Sequence, residues 1–184
     1  MQIEHEFKKE IEGFKEMNDE IVKSSFLKRG EYLPMITFFN RSQSGDFQLM
    51  PTPLPTELFD HGPGKDVLAK VLIPAMIEKI NRGGATVLCL CFAHEAWMRV
   101  AVIPDGVDAA NVTMRQAAQY AKDAERIEML ATLYETPVSS FSKNYKIIRS
   151  GARPTLELHD AYENPLTAEA GRFQNILRKQ PSNN

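Results

Sequence analysis

Seventeen consecutive residues, TVLCLCFAHEAWMRVAV at 86–102, constrain this chain more than any other segment. From Thr86 the side chains keep a period of two. Leu88, Leu90, Phe92, His94, Ala96, Met98 and Val100 fall on one side, and Cys89, Cys91, Glu95, Trp97 and Arg99 fall on the other. A helix would scatter both sets around its axis, so the segment predicts a long β-strand whose first set belongs to the core. A strand of that length needs partners, and the rest of the chain must supply a sheet.

Candidate partners lie on both sides. MITFFN (35–40) and FQLM (47–50), separated by the polar RSQSGD, read as a hairpin that the prolines of PTPLP end. RIEMLATLYET (126–136) and SKNYKIIRSG (142–151), joined through PVSSFS, read as a second hairpin, and TLELH (155–159) as a further short strand. Helices are expected at four places. Ile3, Phe7, Ile11, Phe14, Met17 and Ile21 recur at helical spacing over residues 2–25. VLAKVLIPAMIEKINRGG carries an apolar stripe after Asp66 as N-cap, with Pro74 predicting a kink. TMRQAAQYAKDAE starts at the NVT of 111–113, and Asn164 with Pro165 predicts the start of a last helix reaching Arg178, before the tail QPSNN.

The resulting order is helix, two strands, helix, three or four strands, helix. It predicts one α+β domain over residues 1–184: a mainly antiparallel sheet of about five strands, helices packed on one face, and the N-terminal amphipathic helix lying elsewhere. This order resembles that of profilin-like and roadblock-like domains, and more loosely that of metal-dependent JAB isopeptidase domains. Order of elements alone assigns no activity.

Composition excludes some functions and leaves others open. With 22 Lys+Arg against 24 Asp+Glu, the formal charge of -2 gives no overall field for nucleic acid or an anionic membrane. No apolar run approaches the about 20 residues of a membrane-spanning helix. The charged start MQIEHEFKKE is unlike a secretory signal, so the cytoplasm is the expected location.

His94-Glu95 invites comparison with HExxH zinc sites, but the fifth position is Met98, and strand geometry sends the two side chains to opposite faces. The paired-histidine motif of a JAB site is missing as well. Cys89 and Cys91 share a strand face, yet His5, His61 and His159 are distant in sequence, so both thiols are expected to be buried, reduced and metal-free. HGPGKD resembles half of a phosphate-binding loop, but Phe59 stands where the pattern needs glycine, and Asp66 where it needs Ser or Thr. No cofactor is expected.

Glu95, Trp97 and Arg99 form the more informative set. A register opposing Arg99 to Glu128 places Trp97 across from Leu130 with Arg126 nearby, a tryptophan among complementary charges. Those five residues (Glu95, Trp97, Arg99, Arg126, Glu128) are the candidate binding surface, with His94 as a possible functional histidine. EAWM at 95–98 and the later RIEML resemble a loose group of uncharacterised bacterial and phage proteins that carry an EAW strand and an R-x-E-x-L strand. No activity comes with that resemblance. The favoured function is protein association, with a partner protein or a second copy; a small metal- or carboxylate-dependent hydrolase and a nucleic-acid-binding module are the alternatives.

Overall fold

A computed structural model describes residues 6–58, 62–99, 103–108, 111–121, 125–165 and 176–177. Its centre is one sheet of six strands: β1 (Met35–Arg41), β2 (Phe47–Pro53), β3 (Thr86–Arg99), β4 (Arg126–Glu135), β5 (Ser139–Ile148) and β6 (Thr155–Pro165). They lie in the order β2-β1-β3-β4-β5-β6, every neighbouring pair antiparallel. The α+β class and the antiparallel sheet match the expectation, with one strand more.

The helices cover both faces. α1 (Lys8–Arg29) lies on one face of the sheet, where Ile11, Phe14 and Phe26 pack with Cys89, Cys91 and Leu130. On the other face α2 (Gly62–Val67) runs through a π turn (Leu68–Leu72) into α3 (Ile73–Arg82), setting Leu68, Ile73 and Ile77 against Ile36, Leu90 and Phe92. The N-terminal helix, expected to lie apart from the helices on one face, covers the opposite face, so the order of layers is helix, sheet, helix. Two-sided cover explains why TVLCLCFA is apolar at nearly every position: from Val87 to Ala93 both faces of β3 are buried. From His94 onward the residues are partly or fully exposed, and there the sequence changes to alternation.

Several expectations shift in detail. The buried face of α1 is Ile11, Phe14, Lys15, Asn18, Asp19, Val22 and Phe26, whereas Met17 and Ile21 are 44% and 47% exposed. The apolar stripe was read by hydrophobicity alone, and the helix instead turns Asn18 and Asp19 inward, where tyrosines await them. Residues 1–5, including Ile3, lie outside the described set, and α1 continues past residue 25 to Arg29, stopped by Gly30 at φ +79° donating to the Phe26 carbonyl at 2.7 Å.

Leu88 belongs to the α1 side rather than with Leu90. Phe39 pairs with Cys89 but Asn40 with Val87, so a bulge leaves Leu88 without a β1 partner and reverses the faces before it. The second helical segment begins at Gly62, so Asp66 is not its cap, and the irregularity expected at Pro74 takes the form of the preceding π turn, in which Ile73 donates to Leu68. β5 starts at Ser139, three residues earlier than expected, because Thr136 closes the turn by pairing its N–H and hydroxyl with the Ser139 carbonyl. β6 extends through Asn164 and Pro165, paired with Ser140 and Ser139, so a helix does not start there. The remainder of that expected helix lies outside the described residues, apart from the buried Ile176 and Leu177. α4 (Met114–Tyr120) begins as expected at Thr113, whose side chain forms a capping box with Gln116.

Candidate functional site

β3 and β4 pair two residues out of the expected register. Arg99 faces Arg126, Trp97 faces Glu128 and Glu95 faces Leu130. A shift of two keeps every side chain on its face, so the five candidate residues still share one side of the sheet, the α1 side. The register was unreadable because pairing Arg99 with Glu128 satisfied charge, whereas the actual pairing lets a residue from β5's end satisfy it.

That residue is Arg149, one position beyond β5, which sequence reasoning left among strand residues. Its Nε donates to both Glu128 oxygens at 3.1 and 2.8 Å, its Nη2 to Glu128 at 2.7 Å and to Glu95 Oε2 at 3.1 Å, and its Nη1 to the Gly30 carbonyl at 2.7 Å. The guanidinium sits 5.7 Å from the Phe26 ring centre. The Tyr32 backbone N–H donates to the other oxygen of Glu95. One cation thus ties β3, β4 and β5 to the end of α1, and supplies a donor to a helix-end carbonyl.

The two carboxylates are pulled in opposite directions. Partial burial pushes Glu95 above the ordinary glutamate range, against the opposing Tyr32 N–H and Arg149 charge. Hydrogen bonds from Arg149 hold Glu128 below that range. The signs give opposite pH effects. Glu128, depressed in the fold, contributes stability that is present above its unfolded pKa and lost as pH falls through its folded one. Glu95, raised in the fold, favours folding more once protonated and so offsets part of that loss. Denaturant midpoints followed from neutral pH through the carboxylate range are therefore expected to fall more steeply for Glu95→Gln than for the wild type, and less steeply for Glu128→Gln. The same slope in all three would refute the assignment.

His94 is on the opposite face, as its strand position requires. Its ring lies 4.9 Å from that of Phe92, and its Nδ1 is 2.8 Å from the Glu95 carbonyl oxygen. Burial, with the Lys65 charge adding, lowers its pKa, so the ring favours the neutral form. His94 and Glu95 do not act on a common atom.

Trp97 stands directly across from Glu128, at the open end of the same face. Its side chain is 66% exposed, past the point where α1 ends, with exposed Arg99 and Arg126 one step further along the two strands. Of the two alternatives for this ring, covered by a helix or open to water, the structure shows the second.

Cys89 and Cys91 are buried beneath α1 as free thiols. Burial pushes Cys91 up to about 12 and Cys89 well above its ordinary value, and neither thiolate is accessible. In the native protein both should resist alkylation by iodoacetamide at pH 8, and react on denaturation. Rapid labelling of the folded chain would contradict their placement. Among the described residues, no group of three or more His, Cys, Asp or Glu side chains could hold a metal ion, and no helix is long and apolar enough to cross a membrane.

A second polar cluster went unseen in the sequence. Asp19 of α1, 4% exposed, accepts from Tyr145 Oη at 2.6 Å and Lys143 Nζ at 2.9 Å, with Lys23 Nζ at 3.6 Å. Tyr134 donates its hydroxyl to the Lys15 carbonyl at 3.2 Å and accepts from Asn18 at 3.4 Å. The only signal for it was negative: four polar or charged residues, Lys15, Glu16, Asn18 and Asp19, interrupt the apolar pattern of the helix.

Set against known proteins, the chain matches no family model, no curated protein and no solved structure.

Proposed function

We propose that this chain is a protein-association domain that pairs with a second copy of itself through the Trp97 face of β3 and β4. The observation that carries this reading is the exposure of Trp97, 66% open to water on an ordered strand. A large ring held on a strand loses little freedom when covered, which is why tryptophans concentrate at the centres of protein contacts. Exposed Arg126 stands one step further along β4, and a two-fold contact lets each copy's Arg126 guanidinium stack on the other's Trp97 ring. Supporting the same reading, Glu95 and Glu128 spend their oxygens on Arg149 and the Tyr32 N–H, which suits a structural clamp better than a carboxylate pair poised for hydrolysis. A nucleic-acid reading has less behind it, since Trp97 is the one exposed ring among the described residues of β3 and β4, a short stacking platform.

Trp97→Ala is the test. It should abolish a concentration-dependent rise in solution mass, measured by light scattering after size exclusion, while changing folding stability by no more than about 0.5 kcal/mol, as at other surface positions. A variant with the mass behaviour of the wild type would defeat the proposal.

A further inference from the structure

Between the β1–β2 hairpin and the last turns of α3 lies a half-open cavity of about 340 Å³. Its origin is in the packing. The pairs Phe38 with Met50 and Ile36 with Thr52 turn toward α3, while α3 seats Ile73 and Ile77 in the core and leaves Met76 and Ile80 angled over β2. At the far end, where a large side chain would close the gap, the chain has Gly83 and Ala85. The walls are apolar, and two are methionines, whose flexible thioethers reshape around a bound chain. The volume falls within the range of roughly 300–1,000 Å³ found for small-molecule sites.

One charge borders this apolar space. Lys79, exposed in the last turn of α3, lines the cavity and forms no ion pair among the described residues, whereas neighbouring Arg82 is paired with Glu78. Nor is Lys79 needed to satisfy the end of its helix. Gly83 N–H reaches the Lys79 carbonyl at 3.1 Å, Gly84 N–H that of Asn81 at 3.0 Å, and Ala85 N–H that of Ile80 at 3.3 Å. We infer that the cavity binds an unbranched aliphatic carboxylate, its chain between Met50 and Met76 and its headgroup on the Lys79 ammonium. Apolar burial supplies most of the affinity, and the ion pair at the mouth selects the acid over an uncharged analogue.

Calorimetric titration of the full chain with decanoate, and with decanol as the neutral analogue, tests this. Decanoate should bind saturably at one site. Filling the cavity by Ala85→Leu, or separately by Thr52→Phe on the edge strand, should weaken it more than about tenfold. Lys79→Gln should weaken decanoate about fivefold, in line with an exposed ion pair, and leave decanol unchanged. Because Lys79 is exposed, that comparison stands whatever the filled variants do to the fold. No saturable binding of decanoate overturns the inference, as does binding that survives both filled variants when they are folded, or a Lys79→Gln change that affects acid and alcohol alike.

Discussion

Phe26→Ala is expected to destabilise the protein by about 3–5 kcal/mol, as for other buried aromatic truncations. Phe26 is fully buried in the last turn of α1, packed into the core under the sheet and beneath the Arg149 guanidinium. Its removal leaves a cavity and loosens the point where Gly30, Tyr32, Glu95 and Glu128 converge. Ile21→Ala on the same helix should change stability by less than about 0.5 kcal/mol, because Ile21 is 47% exposed. Urea titrations of the two variants check the orientation of α1 directly. Equal costs would place the helix on the wrong face.

Asp19→Ala should cost about 2–4 kcal/mol. The substitution removes the acceptor of the buried Tyr145 hydroxyl and of Lys143, and a buried donor without a partner carries its full desolvation penalty. Lys143, 28% exposed, can turn to water; the hydroxyl of Tyr145, a 5% exposed residue, cannot. Adding Tyr145→Phe to Asp19→Ala should therefore recover part of the loss, so that the double variant is more stable than the sum of the single ones. Strict additivity in that cycle would show that the hydroxyl and the carboxylate do not act as a pair.

These two sites also mark what was legible in the sequence. The long central strand, the two hairpins and the antiparallel sheet follow from period-two alternation and turn residues, which are local and unambiguous. The side chains of 94–99 were assigned to the right faces for the same reason. Helix orientation was harder. Asn18 and Asp19 look like surface residues until Tyr134, Tyr145 and Lys143 are brought opposite them, over more than a hundred residues of chain. The bulge at Leu88 arises where Phe39 pairs with Cys89 and Asn40 with Val87, far apart in the chain, and has no sequence mark of its own. The clamp was half visible: Glu95 and Glu128 were on the candidate surface, but Arg149, the residue that joins them, lies outside the strands it serves. For Trp97 the sequence left open whether a helix covers the ring, because that depends on where α1 stops, which Gly30 decides.

Trp97 is the sole tryptophan, so the chain's indole fluorescence reports on the proposed contact alone. Emission spectra and sedimentation equilibrium recorded on one dilution series test the central claim most directly. The account predicts a water-exposed emission maximum for the dilute monomer, moving to shorter wavelength in step with the rise in mass toward the dimer. An emission maximum that stays water-exposed while the mass doubles would put the contact elsewhere, and a mass that never rises above that of the monomer would contradict self-association itself.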